Sequence, residues 1–454
     1  MKLPGAGSAA GRTKSRPWLT ALPINAAALL LCVVPVLCAA PPIQAQVEVE
    51  LHGSVETLQA FSFSKDPGLT DSRNAFTGEI GAFAGAASAF VSLSAEYNGV
   101  SPDRSGFSLD EAWLDWSAGA FSFRLGRQLV SWGAADGLVL TDVVCPQNLT
   151  SYAGLDFAGS RLAVDGLRLR YSFQTLAIET LWLPLFSPAR LPGEHNPLYA
   201  VFYPSSVDVG GAALPVSIQD KTLPLTIHNG EYGLRLSWYT SLADLSVMGF
   251  YGWNDIAFME KKLIGTLPAV TGLELLPEYE RTITAGADAS IPIGDFLLRL
   301  ETAWTGGGRY ERPLEDTAAI LSGGQTERPV EKQNLKLLAG IDWNPSAWNL
   351  SAQYYEDMLP DAYSGGTERP WRKNGVSLRI ARSFFRETVK CSAWYYLDLI
   401  DFDGAGSVSA EYALTDALSL SLGSDFFSGG IDDRGSYASY KDLSCFWFRG
   451  IFRF

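Results

Sequence analysis

Three histidines, His52, His195 and His228, are the sequence's whole supply of side chains that titrate near neutrality without perturbation. None sits in a Ser/His/acid spacing that would activate a nucleophile, and His52 beside Glu50 and Ser54 is too little to assert a hydrolase. The acidic run "DFDG" at 401–404 and the pair Asp432 and Asp433 have calcium-like composition, but their spacing matches no binding loop. No CxxC and no glycine-rich phosphate cradle occurs, so no catalytic residue, metal ligand or cofactor is expected. What remains able to do chemistry is a set of arginines and lysines set singly among apolar residues: Arg124, Arg168, Arg170, Arg235, Arg299, Arg379 and Lys390. A cation between two large apolar neighbours at a period of two belongs to a strand whose faces meet different media.

The elements that position those cations are strands. Residues 46–454 repeat one theme of alternating segments of about ten residues, and eighteen can be counted, from 47–62 to 442–454. Sixteen remains a possible count, because the first two segments and the sixteenth and seventeenth are less sharply patterned. Short turns fall near 85, 118, 173, 241, 291, 345, 385 and 414, and every other connection is longer, notably 131–160, 185–230, 254–278 and 305–333. This alternation predicts a closed antiparallel transmembrane β-barrel with tight turns on one side and long loops on the other. A propeller or solenoid would repeat a motif per blade or coil, and none repeats here.

Residues 1–45 differ in kind. Lys2, Arg12, Lys14 and Arg16 precede the apolar run "AAALLLCVVPVLCAA" and small residues up to Ala45, the pattern of a cleaved secretory signal. Removing those four cations from 35 leaves 31 against 49 acids, a balance of −18 that makes nucleic acid an unexpected partner. Beyond the signal only Cys145, Cys391 and Cys445 occur, an odd number that argues against a disulfide framework. No later apolar stretch approaches the ~20 residues of a membrane helix, so insertion must use strands and the partner is outer-membrane lipid.

The end of the chain fits this reading. In "DLSCFWFRGIFRF" Phe446, Phe448, Phe452 and Phe454 share one face and Trp447, Arg449, Ile451 and Arg453 the other. The terminal phenylalanine resembles the C-terminal signature of bacterial outer-membrane proteins, which implies recognition by their assembly machinery. With apolar residues towards lipid, the cations named above turn inward. Two readings follow: they brace the wall against inward acids such as Glu96, Glu301, Asp342, Asp357 and Asp425, or they form a track for anionic solute. The loop 185–230 is long and apolar enough to fold into the barrel mouth.

The segment "LDEAWLDWSAGAFSFRLGRQLVSWGAADGLVLTDVVCPQNLT" carries Glu111, Gly126, Arg127, Gln128, Trp132, Gly133 and Asp136. This "EA…L.GRQ…WG..D" pattern resembles outer-membrane channel families related to alginate-export porins. The resemblance implies a porin-like channel without naming its solute. From the residues themselves, Arg127, Gln128, Trp132 and Asp136 stand where a strand leaves the barrel and are expected to anchor the following loop, with Arg127 and Asp136 as a candidate pair. Passive diffusion of small polar, anionic solutes is therefore the expected function. The alternative is a surface adhesin or structural protein with a plugged lumen.

Overall fold

The computed structural model describes residues 47–63, 68–134, 140–154, 160–209, 212–219, 221–266, 269–310, 312, 314–360, 372–431 and 435–454. The segment expected to be a signal, 1–45, and Asp136 lie outside the described residues, as do Asp432 and Asp433.

Eighteen antiparallel strands close into one barrel. The first seven follow one another: β1 (Glu48–Ser62), β2 (Leu69–Ala84), β3 (Ala87–Asn98), β4 (Gly106–Ala118), β5 (Phe121–Gln128), β6 (Val164–Phe173) and β7 (Leu176–Leu183). Two short strands, β8 (Ser206–Val209) and β9 (Ala212–Ile218), then leave the wall. The wall resumes with β10 (Glu231–Tyr239) and β11 (Asp244–Trp253), and is left again by β12 (Phe258–Thr266) and β13 (Ala269–Glu278). It is completed by β14 (Arg281–Ile293), β15 (Phe296–Tyr310), β16 (Val330–Trp343), β17 (Trp348–Met358), β18 (Arg372–Phe384), β19 (Val389–Asp398), β20 (Gly404–Ala413), β21 (Leu418–Ser428) and β22 (Cys445–Arg453). This is a closed antiparallel β-barrel whose outward positions are largely apolar. All eighteen expected strands are present, and the count is eighteen rather than sixteen.

Closure is made by β22 against β1, in register from Ser54 opposite Arg453 to Ser62 opposite Cys445. Backbone hydrogen bonds run both ways between Gly53 and Phe454 at the end of that ladder. An open edge would leave amides unpaired in hydrocarbon at several kcal/mol each, so the last strand is held along its length. Its outward face presents Phe446, Phe448, Phe452 and Phe454, all exposed. Phe446 stacks on Phe61 of β1 with centroids 5.3 Å apart.

The strands β8, β9, β12 and β13, expected to be loop, form a separate four-stranded sheet on the long-loop side. Its small core joins Leu273 and Leu275 to Leu321 of a helix, α1 (Leu314–Ser322). These segments alternate like wall strands, but Val216, Ile218, Met259 and Leu263 pack on the sheet's own core.

Where β5 crosses β4, Gly126 has φ +127°, and a Cβ there would lie 2.2 Å from the Ala112 carbonyl oxygen. Both the backbone conformation and the contact exclude a side chain. Gly126→Val is expected to cost at least about 1–3 kcal/mol from the backbone alone. Heat-modifiable migration in SDS gels should fall or vanish, while an Ala285→Val control on the outer face of β14 should leave it intact.

Candidate functional site

Directly paired residues of adjacent strands share a face, so the register settles which side chains meet the lumen. It turns Arg124, Arg168, Arg170, Arg235, Arg299, Arg379 and Lys390 inward, because their neighbours Leu125, Leu169, Leu234, Leu236, Leu300, Leu378 and Ile380 lie exposed on the outside.

On β4 to β16 these cations and inward carboxylates form a continuous ladder. Arg124 bonds Asp115 at 3.0 Å, and its guanidinium lies over the Trp113 ring, 3.9 Å from the centroid. Arg168, directly opposite Arg124, bonds Glu179 at 2.6 Å. Arg235 bonds Asp288 at 3.0 Å and Arg299 bonds Asp342 at 2.5 Å. Lys336 lies 3.8 Å from Asp357 on the next pair of strands. Arg170 differs: its described hydrogen bonds go to the hydroxyls of Ser172 and Tyr239, at 3.3 and 3.4 Å. Lys390 is exposed and stands opposite Glu411 in the register.

The segment after β5 folds into the barrel and crosses it. At its root Glu111 accepts the Leu129 amide at 3.0 Å, and Gln128, fully buried, donates to the Gly166 carbonyl at 3.1 Å. Trp132 is 1% exposed and its indole donates to Glu179 at 2.8 Å. Glu301, 3% exposed on the β15 wall, then receives the amides of Ala134 and Leu140 at 2.7 Å each and of Thr141 at 3.2 Å, with the Thr141 hydroxyl at 3.3 Å. Arg299 donates to the Ala134 carbonyl. Further along, Gly154 donates to Asp425 of β21 at 2.6 Å and accepts from Arg449 of β22 at 2.7 Å. One stretch of chain is thus tied to three parts of the wall by charged side chains acting on its backbone. Burial raises the Asp142 carboxyl in this stretch, against the lowering effects of the Trp132 amide and Arg161.

The motif residues are therefore the root of this crossing segment. Arg127 makes a two-pronged bond to Asp165 of β6, at 2.6 and 3.0 Å, while its expected partner Asp136 lies outside the described residues. Both lie on the outward parity, since Arg127 pairs with Ala112 and Asp165 in the register, while Arg124 faces in. Gly133, with φ +106°, turns the chain inward after Trp132.

The loop expected in the mouth divides. Leu198 is buried beside Tyr152, Leu58, Ala60 and Trp447, and Asn196 donates to the Thr150 carbonyl at 2.8 Å, so this part packs on the crossing segment. Residues 206–209 and 212–218 belong instead to the separate four-stranded sheet. Near its start Phe186 packs on Trp253 and Tyr279, at 6.1 and 5.3 Å, and the Ala189 amide donates to the Asp255 carbonyl. The Asp255 carboxyl is pushed up to about 8 by burial and by the nearby charge of Glu231. Around "DFDG" the acids cap turns: Asp403 receives the Tyr437 amide at 2.7 Å, and Asp398, just before the run, receives the Ile400 and Asp401 amides. Among the described residues no His, Cys, Asp and Glu group is placed to hold a metal ion.

The model of a family described as protein of unknown function (DUF1302) matches residues 27–394. No curated protein matches the sequence. Solved structures that resemble this one include OccK5 (OpdH) of Pseudomonas aeruginosa, 9% identical, covering 90% of this chain and 97% of that chain with TM-score 0.49. OccAB1 of Acinetobacter baumannii is also 9% identical, covering 90% and 95% with TM-score 0.49. A loop L8 deletion mutant of OmpT of Vibrio cholerae is 10% identical, covering 90% and 99% with TM-score 0.43.

Two outcomes follow. Glu301→Ala leaves three amides, two of them buried, without this acceptor, so protease cleavage within 131–154 should rise sharply while the barrel keeps its heat-modifiable migration. Folding raises the Asp255 pKa, so seating of 186–190 is strongest below ~4, the ordinary range of a free Asp. It weakens as pH rises through about 8. Hydrogen exchange at 186–190, compared at matched intrinsic rates, should increase across that window and stay level in Asp255→Asn.

Proposed function

The chain belongs to the DUF1302 family, and on that footing we propose that it is a passive outer-membrane channel for small polar solutes, with small anions favoured. We take residues 1–45 as its export signal. The observation that carries the reading is the inner wall itself, a sheet of charged and hydroxylated side chains inside a barrel of eighteen strands, a size that encloses an aqueous lumen. The crossing segment makes the passage narrow, so a solute meets wall side chains at close range, where screening by salt is weak.

The preference for anions rests on the pairing at β4 to β7. There Arg124 is held by Asp115 and Arg168 by Glu179, while the described hydrogen bonds of Arg170 go to the hydroxyls of Ser172 and Tyr239. The Glu179 oxygens are engaged by Arg168 and by the Trp132 indole. Arg170 is thus the guanidinium that a carboxylate or other small anion would meet, while Arg124, Arg168, Arg235 and Arg299 keep their wall partners. We assign Arg379 and Lys390 to the same solute path on the far wall. Phe446, Phe448, Phe452 and Phe454 are proposed as the assembly signature.

The second reading, an adhesin or structural protein with a plugged lumen, is favoured by one observation, the tying of the crossing segment to β15 and to β21–β22. Planar-bilayer recording separates the two. Stable unit conductance is expected, and verified insertion without conductance would replace the channel with the plugged barrel. Under a salt gradient the reversal potential should indicate anion preference, reduced by Arg170→Ser and less affected by Arg235→Ser. A cation-selective parent, or no change in Arg170→Ser, would remove the anion preference.

A further inference from the structure

We propose that the seam of the barrel, where β22 meets β1 and β2, is a docking surface for a second copy of this chain within the membrane. The outward face there departs from the apolar rule. Thr57 of β1 is opposite Gly450 of β22 and Asn74 of β2, midway along the ladder from Phe446 to Phe454, and Gln59 follows two residues on. All three side chains lie on the face of Val55, Phe61 and Phe76, each of which is exposed. The Thr57 hydroxyl donates to Asn74 Oδ1 at 2.9 Å and receives Gln59 Nε2 at 3.3 Å. Among the described residues, the Asn74 amide nitrogen and the Gln59 amide oxygen have no further bond. Acyl chains can offer them none, and a polar group left unpaired in hydrocarbon is costly.

The same spot is concave. With no side chain at Gly450, a groove of about 710 Å³ opens between Phe448 and Phe452, floored by Leu420 and Thr57. At its rim stand Tyr97 and Phe107, 66% and 92% exposed. A groove with a large ring beside it, and amides that carry donor and acceptor on one group, is a self-complementary surface. A two-fold axis through the seam would let the amides of one copy bond those of the other while each aromatic rim meets the opposite groove. This occupant supplies both the shape and the hydrogen bonds.

The test is cross-linking in intact outer membranes, in a Cys391→Ser background that leaves, beyond the proposed export signal, the buried Cys145 and Cys445. Asn74→Cys with a short bismaleimide is expected to give a dimer of the chain, and Thr180→Cys on the outward face of β7 to give monomer. Gly450→Leu places its side chain in the groove, and its Cβ meets the nearest atoms, on Leu420 and Thr57, at an ordinary 3.5 Å. It should weaken association about tenfold with heat-modifiable migration retained. Gln59→Leu should do the same if Gly450→Leu fails to fold. Monomer from Asn74→Cys, an adduct with a different protein, or a dimer unchanged by a folded groove variant would each overturn the proposal.

Discussion

Everything in this molecule depends on closing a sheet in a medium that offers no hydrogen bonds. A strand of β22 paired only to β21 would present a row of bare amides to lipid, so the pairing with β1 is the condition for all eighteen strands. Closure also divides the side chains. Once each strand has a lipid face, every alternate position points into one shared interior, and polar residues from distant parts of the chain are brought within bonding distance.

That interior explains why the arginines pair as they do. Arg235 and Asp288 are separated by a hairpin in sequence, yet β11 sets them 3.0 Å apart. A guanidinium facing lipid would cost ~2–4 kcal/mol near the midplane, and one facing the lumen gains a carboxylate partner. The acids left over serve the backbone of the crossing segment. Glu301 is the clearest case, an inward carboxylate whose described partners are three amides and a hydroxyl.

The strands were legible because a period of two with tight turns on alternate connections leaves few other solutions. Segments 87–98 and 404–413 agree with the structure to the residue. What could not be read was register between strands, and with it the partners. Arg127 shows both sides of this. Its outward parity follows from Phe121, Phe123 and Leu125, but its bond to Asp165 depends on where β6 begins. The hairpin of β12 and β13 was missed for another reason: alternation marks a strand with two unlike faces, and says nothing about whether the apolar face meets lipid or Leu321 of a helix. The crossing segment was legible only at its root, in Glu111, Gln128 and Trp132. Its anchors Glu301, Asp425 and Arg449 lie far along the chain and look like any other inward charge.

Those sequence separations set an order of events. The Trp132 indole needs Glu179, 47 residues on, whereas Gly154 needs Asp425 and Arg449, 271 and 295 residues on. Neighbouring hairpins close small loops and form early, while contacts across most of the chain must wait. The segment inside the barrel can therefore take up its final course only when the last two strands have arrived. Its far end is fastened to β21 and β22, on the side of the seam that completes the wall, so sealing the cylinder and narrowing its bore are one late step of assembly.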